Sequence, residues 1–147
     1  MKLNNVITYN DFFIEDMLEI ENSNPINEII SVVIDPIVED FEIIDIKDGR
    51  TIKGEFFEGK RIVLFVSLKI HLKYTSYDSG RIFFEDRENK RFLYINCPKK
   101  IDQTNIEELK RKRKIKIQII TDKVSSRKID EKIVLFKSLI KSKIVKI

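Results

Sequence analysis

The sequence predicts a mainly β domain, an antiparallel β-sandwich or barrel-like arrangement with a short N-terminal helical arm and one short helix near 104–110. Three observations carry that expectation. Ala and Trp are both absent, and Ile, Val, Phe and Tyr bear the apolar load. The best helix former is therefore missing, while β-branched and aromatic residues suit strands. Residues 62–74 are apolar at every second position, a period that no helix stripe produces. Short apolar runs also recur between turn signals with no strand–helix–strand rhythm, as in antiparallel folds.

Length sets the frame for the elements. With 147 residues and 42% hydrophobic content, the chain is long enough for one domain with a real core. Asn10 or Asp11 is a candidate helix cap, and Phe12, Phe13, Met17, Leu18 and Ile20 recur at roughly helical spacing. Glu21-Asn22-Ser23-Asn24-Pro25 breaks that pattern, so residues 1–24 read as an acidic arm ahead of a domain spanning 25–147. Ile29 to Ile34 and Val38 to Ile46 read as strands. Asp48-Gly49-Arg50 reads as a tight turn, Thr51 to Phe57 as a strand, and Glu58-Gly59-Lys60 as a further turn.

The clearest strand follows. Ile62, Leu64, Val66, Leu68, Ile70, Leu72 and Tyr74 form one apolar face, and Arg61, Val63, Phe65, Ser67, Lys69, His71 and Lys73 form the other. Ser76 to Gly80 reads as a loop. Arg81–Glu85 and Arg91–Cys97 read as a hairpin around Asp86-Arg87-Glu88-Asn89-Lys90, ended by Pro98, which offers no amide donor. Thr104-Asn105-Ile106-Glu107 has capping-box spacing and predicts a short helix to about Lys110. Ile115, Ile117 and Ile119 alternate with polar residues as a half-buried strand. Asp122 to Ser126 reads as a turn, and Lys132–Ile140 with Ile144–Ile147 close the domain.

Charge divides the chain sharply. Residues 1–48 hold two Lys against twelve Asp and Glu, a net of −10. Residues 110–147 hold fourteen Lys and Arg against three acids, a net of +11. Such a chain can pair with itself within one molecule or between molecules, so a homo-oligomer is one expectation. The acidic start lacks a basic region and a long apolar core, which argues against a signal peptide and for synthesis in the cytoplasm. Apolar runs are short and broken by charge, so no membrane span is expected.

No catalytic constellation, metal site or cofactor motif emerges, and a non-enzyme is expected. His71 is the sole histidine and falls on the more polar strand face beside Lys69 and Lys73. Cys97 is the sole cysteine; it cannot close an internal disulfide and reads as a small buried hydrophobe, with an intermolecular bridge as the other option. Asp35, Glu39, Asp40 and Glu42 lack the spacing of a calcium loop and read as a solvated strand face. Lys110-Arg111-Lys112-Arg113-Lys114 leaves three readings open: a loop meeting the acidic front, a protein-binding surface, or a nucleic-acid contact. No aromatic lies from Lys99 to Leu135 to supply a base-stacking platform. Phe12, Phe13 and Leu18 of the arm are the other candidate interaction residues.

Three segments resemble one family. Asn24-Pro25-Ile26-Asn27-Glu28-Ile29-Ile30-Ser31-Val32-Val33 resembles the opening of the SPOCS domain of spore-coat morphogenetic proteins in clostridia and their relatives. Pro25, Glu28, Ile30 and Val33 match that opening in register. Gly59-Lys60-Arg61-Ile62-Val63 with Leu68 to Tyr74 is similar to the family's central strand, although Val66 stands where the family has glycine. Arg91 to Pro98 is similar to a later strand that ends in proline, with Arg91 replacing a leading proline. The resemblance covers about residues 24–140. It implies a non-enzymatic structural or adaptor protein, placed in the spore coat or another outer spore layer. Its partners would be other spore-envelope proteins or further copies of itself.

Overall fold

The computed structural model describes residues 6–45, 49–50, 56–57, 60–77 and 80–147. Among the described residues, ten strands and one helix follow in order: β1 Val6–Glu19, β2 Ile26–Asp45, β3 Gly49–Arg50, β4 Phe56–Phe57, β5 Lys60–Ser76, β6 Ile82–Cys97, β7 Lys100–Ile101, β8 Thr104–Asn105, α1 Ile106–Arg111, β9 Ile115–Lys128 and β10 Ile133–Lys146. The fold is mainly β, and its ladders are antiparallel. Two three-stranded sheets dominate, one ordered β1–β10–β9 and one ordered β2–β5–β6. They do not close into a barrel.

Alternation on the central strands builds one core to which both three-stranded sheets contribute. β5 contributes Ile62, Leu64, Val66, Leu68, Ile70, Leu72 and Tyr74, each nearly inaccessible to water. β10 answers with Val134, Phe136, Ile140 and Ile144. The Tyr74 hydroxyl reaches the β1–β2 turn, donating toward Asn22 Oδ1 at 2.8 Å and the Asn24 carbonyl at 3.0 Å. A buried tyrosine thus keeps its polar tip bonded.

The N-terminal helical arm expected from the sequence is instead strand β1. It pairs with β10 from Val6↔Val145 to Glu19↔Ile133, and Ile14, Leu18 and Ile20 enter the core. A four-residue spacing fits one helical turn and also two strand repeats, so Ile14 and Leu18 are compatible with both periods. β10 decides the matter by offering backbone N–H and C=O groups to pair with along its length.

Other boundaries also move. β2 runs unbroken through Pro36, which an edge strand accommodates because it needs no amide on its open side. Register shifts flank Glu39 and two earlier positions and absorb the length. The hairpin expected around Asp86–Lys90 is absent, since that segment is the middle of β6 and pairs with β5 from Lys60↔Cys97 to Thr75↔Ile82. Asp122–Ser126 is likewise inside β9, with a bulge at the positive-φ residue Lys123. The real β9–β10 turn is held by Asp130 Oδ1, which accepts from the amides of Lys132 and Ile133 at 2.7 and 2.9 Å.

The short helix is present, but its capping box is not formed: Asn105 is the cap, and no side-chain cap bond is made. The expected turns and strand in the 46–59 region fall partly on Ile46–Asp48, Thr51–Glu55, Glu58 and Gly59, outside the described residues. The same holds for Asp78 and Ser79 of the loop before β6.

Candidate protein-interaction surface

The outward side of β5 and its neighbours carries the first candidate. Cross-strand rows there read Ile44–Arg61–Asn96, Glu42–Val63–Tyr94 and Asp40–Phe65–Phe92. Phe92 is 61% exposed and Tyr94 is 55% exposed. Phe65 meets Phe92 edge-to-face at 5.1 Å between ring centres, and the Arg61 guanidinium lies 5.8 Å from the Tyr94 ring centre. Further along, Ile82 and Phe84 are also exposed. The solvent side of an antiparallel sheet is ordinarily polar, so these exposed aromatics are the candidate contact residues of this face.

A charged band divides this patch. Asp35, Lys69 and Glu88 form one row, and Val33, His71 and Asp86 form the next. The His71 ring lies between two carboxylates, with Nδ1 2.8 Å from Asp86 and Nε2 3.3 Å from Asp35. One acid comes from each neighbouring strand, so the ring ties all three strands together. His71 sits on the polar face, as the alternation predicts. Among the described residues, no group of His, Cys, Asp and Glu is arranged to hold a metal ion.

A second feature is a crevice of about 690 Å³ between β1 and β6. Here β6 turns polar side chains inward toward β1. Asp16 accepts from Arg91 at 2.6 Å and from Asn89 at 2.7 Å, and Arg87 donates to the Glu19 carbonyl at 2.8 Å. Arg87 also meets Glu21 and Glu85, each at 3.3 Å. The crevice is therefore a seam whose charges are largely matched. The opposite seam is tighter: β2 packs against β9, and the Thr121 hydroxyl donates to the Ile34 carbonyl at 2.9 Å.

The sequence candidates scatter. Phe13 is exposed on the outer side of β1, Phe12 is half-buried against the core, and Leu18 is buried. Leu18 thus cannot serve as an exposed anchor, because strand alternation turns it inward. The basic run lies elsewhere, at the end of α1. Lys110 stands 5.0 Å over the Phe41 ring, while Arg111 and Lys112 both lean on Glu108, at 3.6 and 3.0 Å. These cations hold the Glu108 carboxyl below its usual range, Lys112 chiefly. Arg113 and Lys114 are exposed, with Arg113 at a positive φ of 56°.

Cys97 is buried beside Ile95, and burial pushes its thiol up to about 11. A nucleophilic thiolate needs the opposite shift. The residues the sequence left unmarked are Phe84, Phe92 and Tyr94. Continuing the two-residue period of β6 through Asp86–Lys90 would have placed all three on one outward face.

Among the described residues, no helix is long and apolar enough to cross a membrane. Comparison with protein-family models, with curated proteins and with solved structures finds no match.

Proposed function

We propose that this chain is a non-enzymatic interaction module of the SPOCS type. Its two sheets pack as a β-sandwich, and it joins other proteins of a spore layer. The observation that carries the reading is the outward aromatic cluster of Val63, Phe65, Phe92 and Tyr94 on β5 and β6. The resemblance at residues 24–33, 59–74 and 91–98 supplies the spore context. Two of those segments run through the strands that bear the cluster.

The fitting partner is a protein surface with apolar side chains for the ring cluster and cations for Asp40 and Glu42 beside it. Exposed aromatics of this kind serve as anchors, and charges at the rim steer. Nucleic acid is the weaker reading, since Glu108 already engages two of the five cations of the 110–114 run. Its own test is salt-dependent binding that Arg111→Glu and Arg113→Glu abolish.

The main test follows a fluorescent fusion during sporulation of the native host. The wild-type fusion should gather at the spore envelope. Phe92→Ser with Tyr94→Ser should leave it diffuse, with folding stability changed by about 1 kcal/mol or less, because both rings are more than half exposed. A diffuse wild-type fusion, together with a normal coat and exosporium in a deletion strain, would sink the proposal.

A further inference from the structure

We propose that the outer face of the β1–β10–β9 sheet is self-complementary and docks a second copy of this chain about a two-fold axis. The argument starts from rows across β1 and β10. Asp11 stands opposite Lys141, Phe13 opposite Leu139, Glu15 opposite Lys137 and Met17 opposite Leu135. Acids line β1 and lysines line β10, with apolar rows between them. Phe13 is 68% exposed, Met17 63%, and Tyr9 further along β1 66%. The Phe13–Leu139 row falls at the middle of both strands.

The two carboxylates of β1 are not consumed within one chain. Among the described residues, the carboxylates of Asp11 and Glu15 take part in no ion pair, and Lys141 turns to Asp122 on β9 at 3.2 Å. Adjacent strands of one sheet project their side chains in parallel, so opposite charges there need not meet head-on.

Geometry then chooses the orientation. A two-fold axis running along the strands between β1 and β10 lays β1 of each copy over β10 of the other and keeps every row opposite itself. Glu15 faces Lys137, Asp11 faces Lys141, and Phe13 meets Leu139, twice each. An in-plane axis across the strands at the Phe13 row would set Asp11 over Glu15, acid on acid. Only the first arrangement satisfies the pattern, and it is a closed, isologous contact.

This axis overlays two strands, β1 and β10, and leaves β9 of each copy outside the overlap. Two strands of fourteen residues at about 4.8 Å spacing and about 3.3 Å rise span roughly 440 Å² before side-chain relief. That is about half of the ~800 Å² per partner of a standard interface, so the contact is a weak, concentration-dependent one.

Sedimentation of the full chain over a concentration series tests this. The expected result is a concentration-dependent dimer. Glu15→Lys and Lys137→Glu should each raise the dissociation constant about tenfold or more, and Phe13→Ser should weaken the dimer as well. An equimolar mixture of the two charge variants should recover it, because one carries cations at both positions and the other carboxylates at both. A monomer at the highest concentration overturns the proposal. So does a dimer indifferent to all three changes, or a mixture no tighter than its components. The aromatic cluster of the proposed function lies on the other sheet, so a monomer here leaves that reading standing.

Discussion

Leu68 and Lys69 are neighbours on β5 and face opposite sides of their sheet. Leu68 is 1% exposed in the core, while Lys69 is exposed between Asp35 and Glu88. Leu68→Asp should cost about 4 kcal/mol or more, a large share of a small domain's total, and leave much of the chain unfolded. Lys69→Asp should cost about 1 kcal/mol, since it only trades exposed charge pairs for repulsion. Urea denaturation of both variants checks the register, and equal losses would show it to be wrong. Cys97 gives a prediction in pH. Its thiol rises from an ordinary 9.0 to about 11 in the folded chain because burial disfavours the thiolate. Between those values the unfolded chain has released a proton that the folded chain keeps, so stability falls as pH climbs through that window. Cys97→Ala removes this contribution. The stability gap between wild type and variant should therefore narrow from about pH 8 to about pH 10.5, read as urea midpoints at each pH.

At the scale of the elements, the seam between β1 and β6 is the most exacting test. Asp16 is the acceptor that holds Arg91 and Asn89, and the Arg91 Nε is already buried without a partner. Asp16→Ala should destabilise by about 1–2 kcal/mol, a buried-pair penalty reduced because both side chains keep some solvent. Asp16→Asn should recover part of the loss, and equal melting temperatures for the two variants would refute the account. This seam also marks where the sequence ceased to be legible. Ile62 to Tyr74 declared β5 plainly, because a hydrophobic face on an inner strand is written by one residue type. In the sequence β6 looks like two strands and a turn, since Asp86-Arg87-Glu88-Asn89-Lys90 has the composition of solvent-exposed chain. Its inward polar residues bond to Asp16 and Glu19, some seventy positions away, and no local pattern carries that information. The outward cluster on β6 was lost with it. β1 hides for a different reason: Phe13 and Met17, four positions apart, fit both a helical turn and two strand repeats, and only pairing with β10 resolves them.

At the scale of the whole molecule, the acidic front and basic back become adjacent strands. The opposite charges that span the sequence lie side by side in one sheet, Asp11 by Lys141 and Glu15 by Lys137. Antiparallel pairing of β1 with β10 brings the two charged segments together, with no ion pair at Asp11 or Glu15 among the described residues, and the self-docking proposed for that sheet puts those carboxylates to use. The same adjacency matters during synthesis. More than a hundred residues separate Glu19 from Ile133, and a ribosome adding roughly 5–20 residues per second needs about 6–23 s to make them. Throughout that interval β1 has been made and its partner has not. An unpaired strand bearing Phe12, Phe13, Ile14 and Leu18 invites aggregation. Asp11, Glu15, Asp16 and Glu19 interrupt it at close intervals, as gatekeeping charges do. The acidity of the first strand is then a provision for waiting: it keeps nascent chains on neighbouring ribosomes apart until the last strand emerges to claim it.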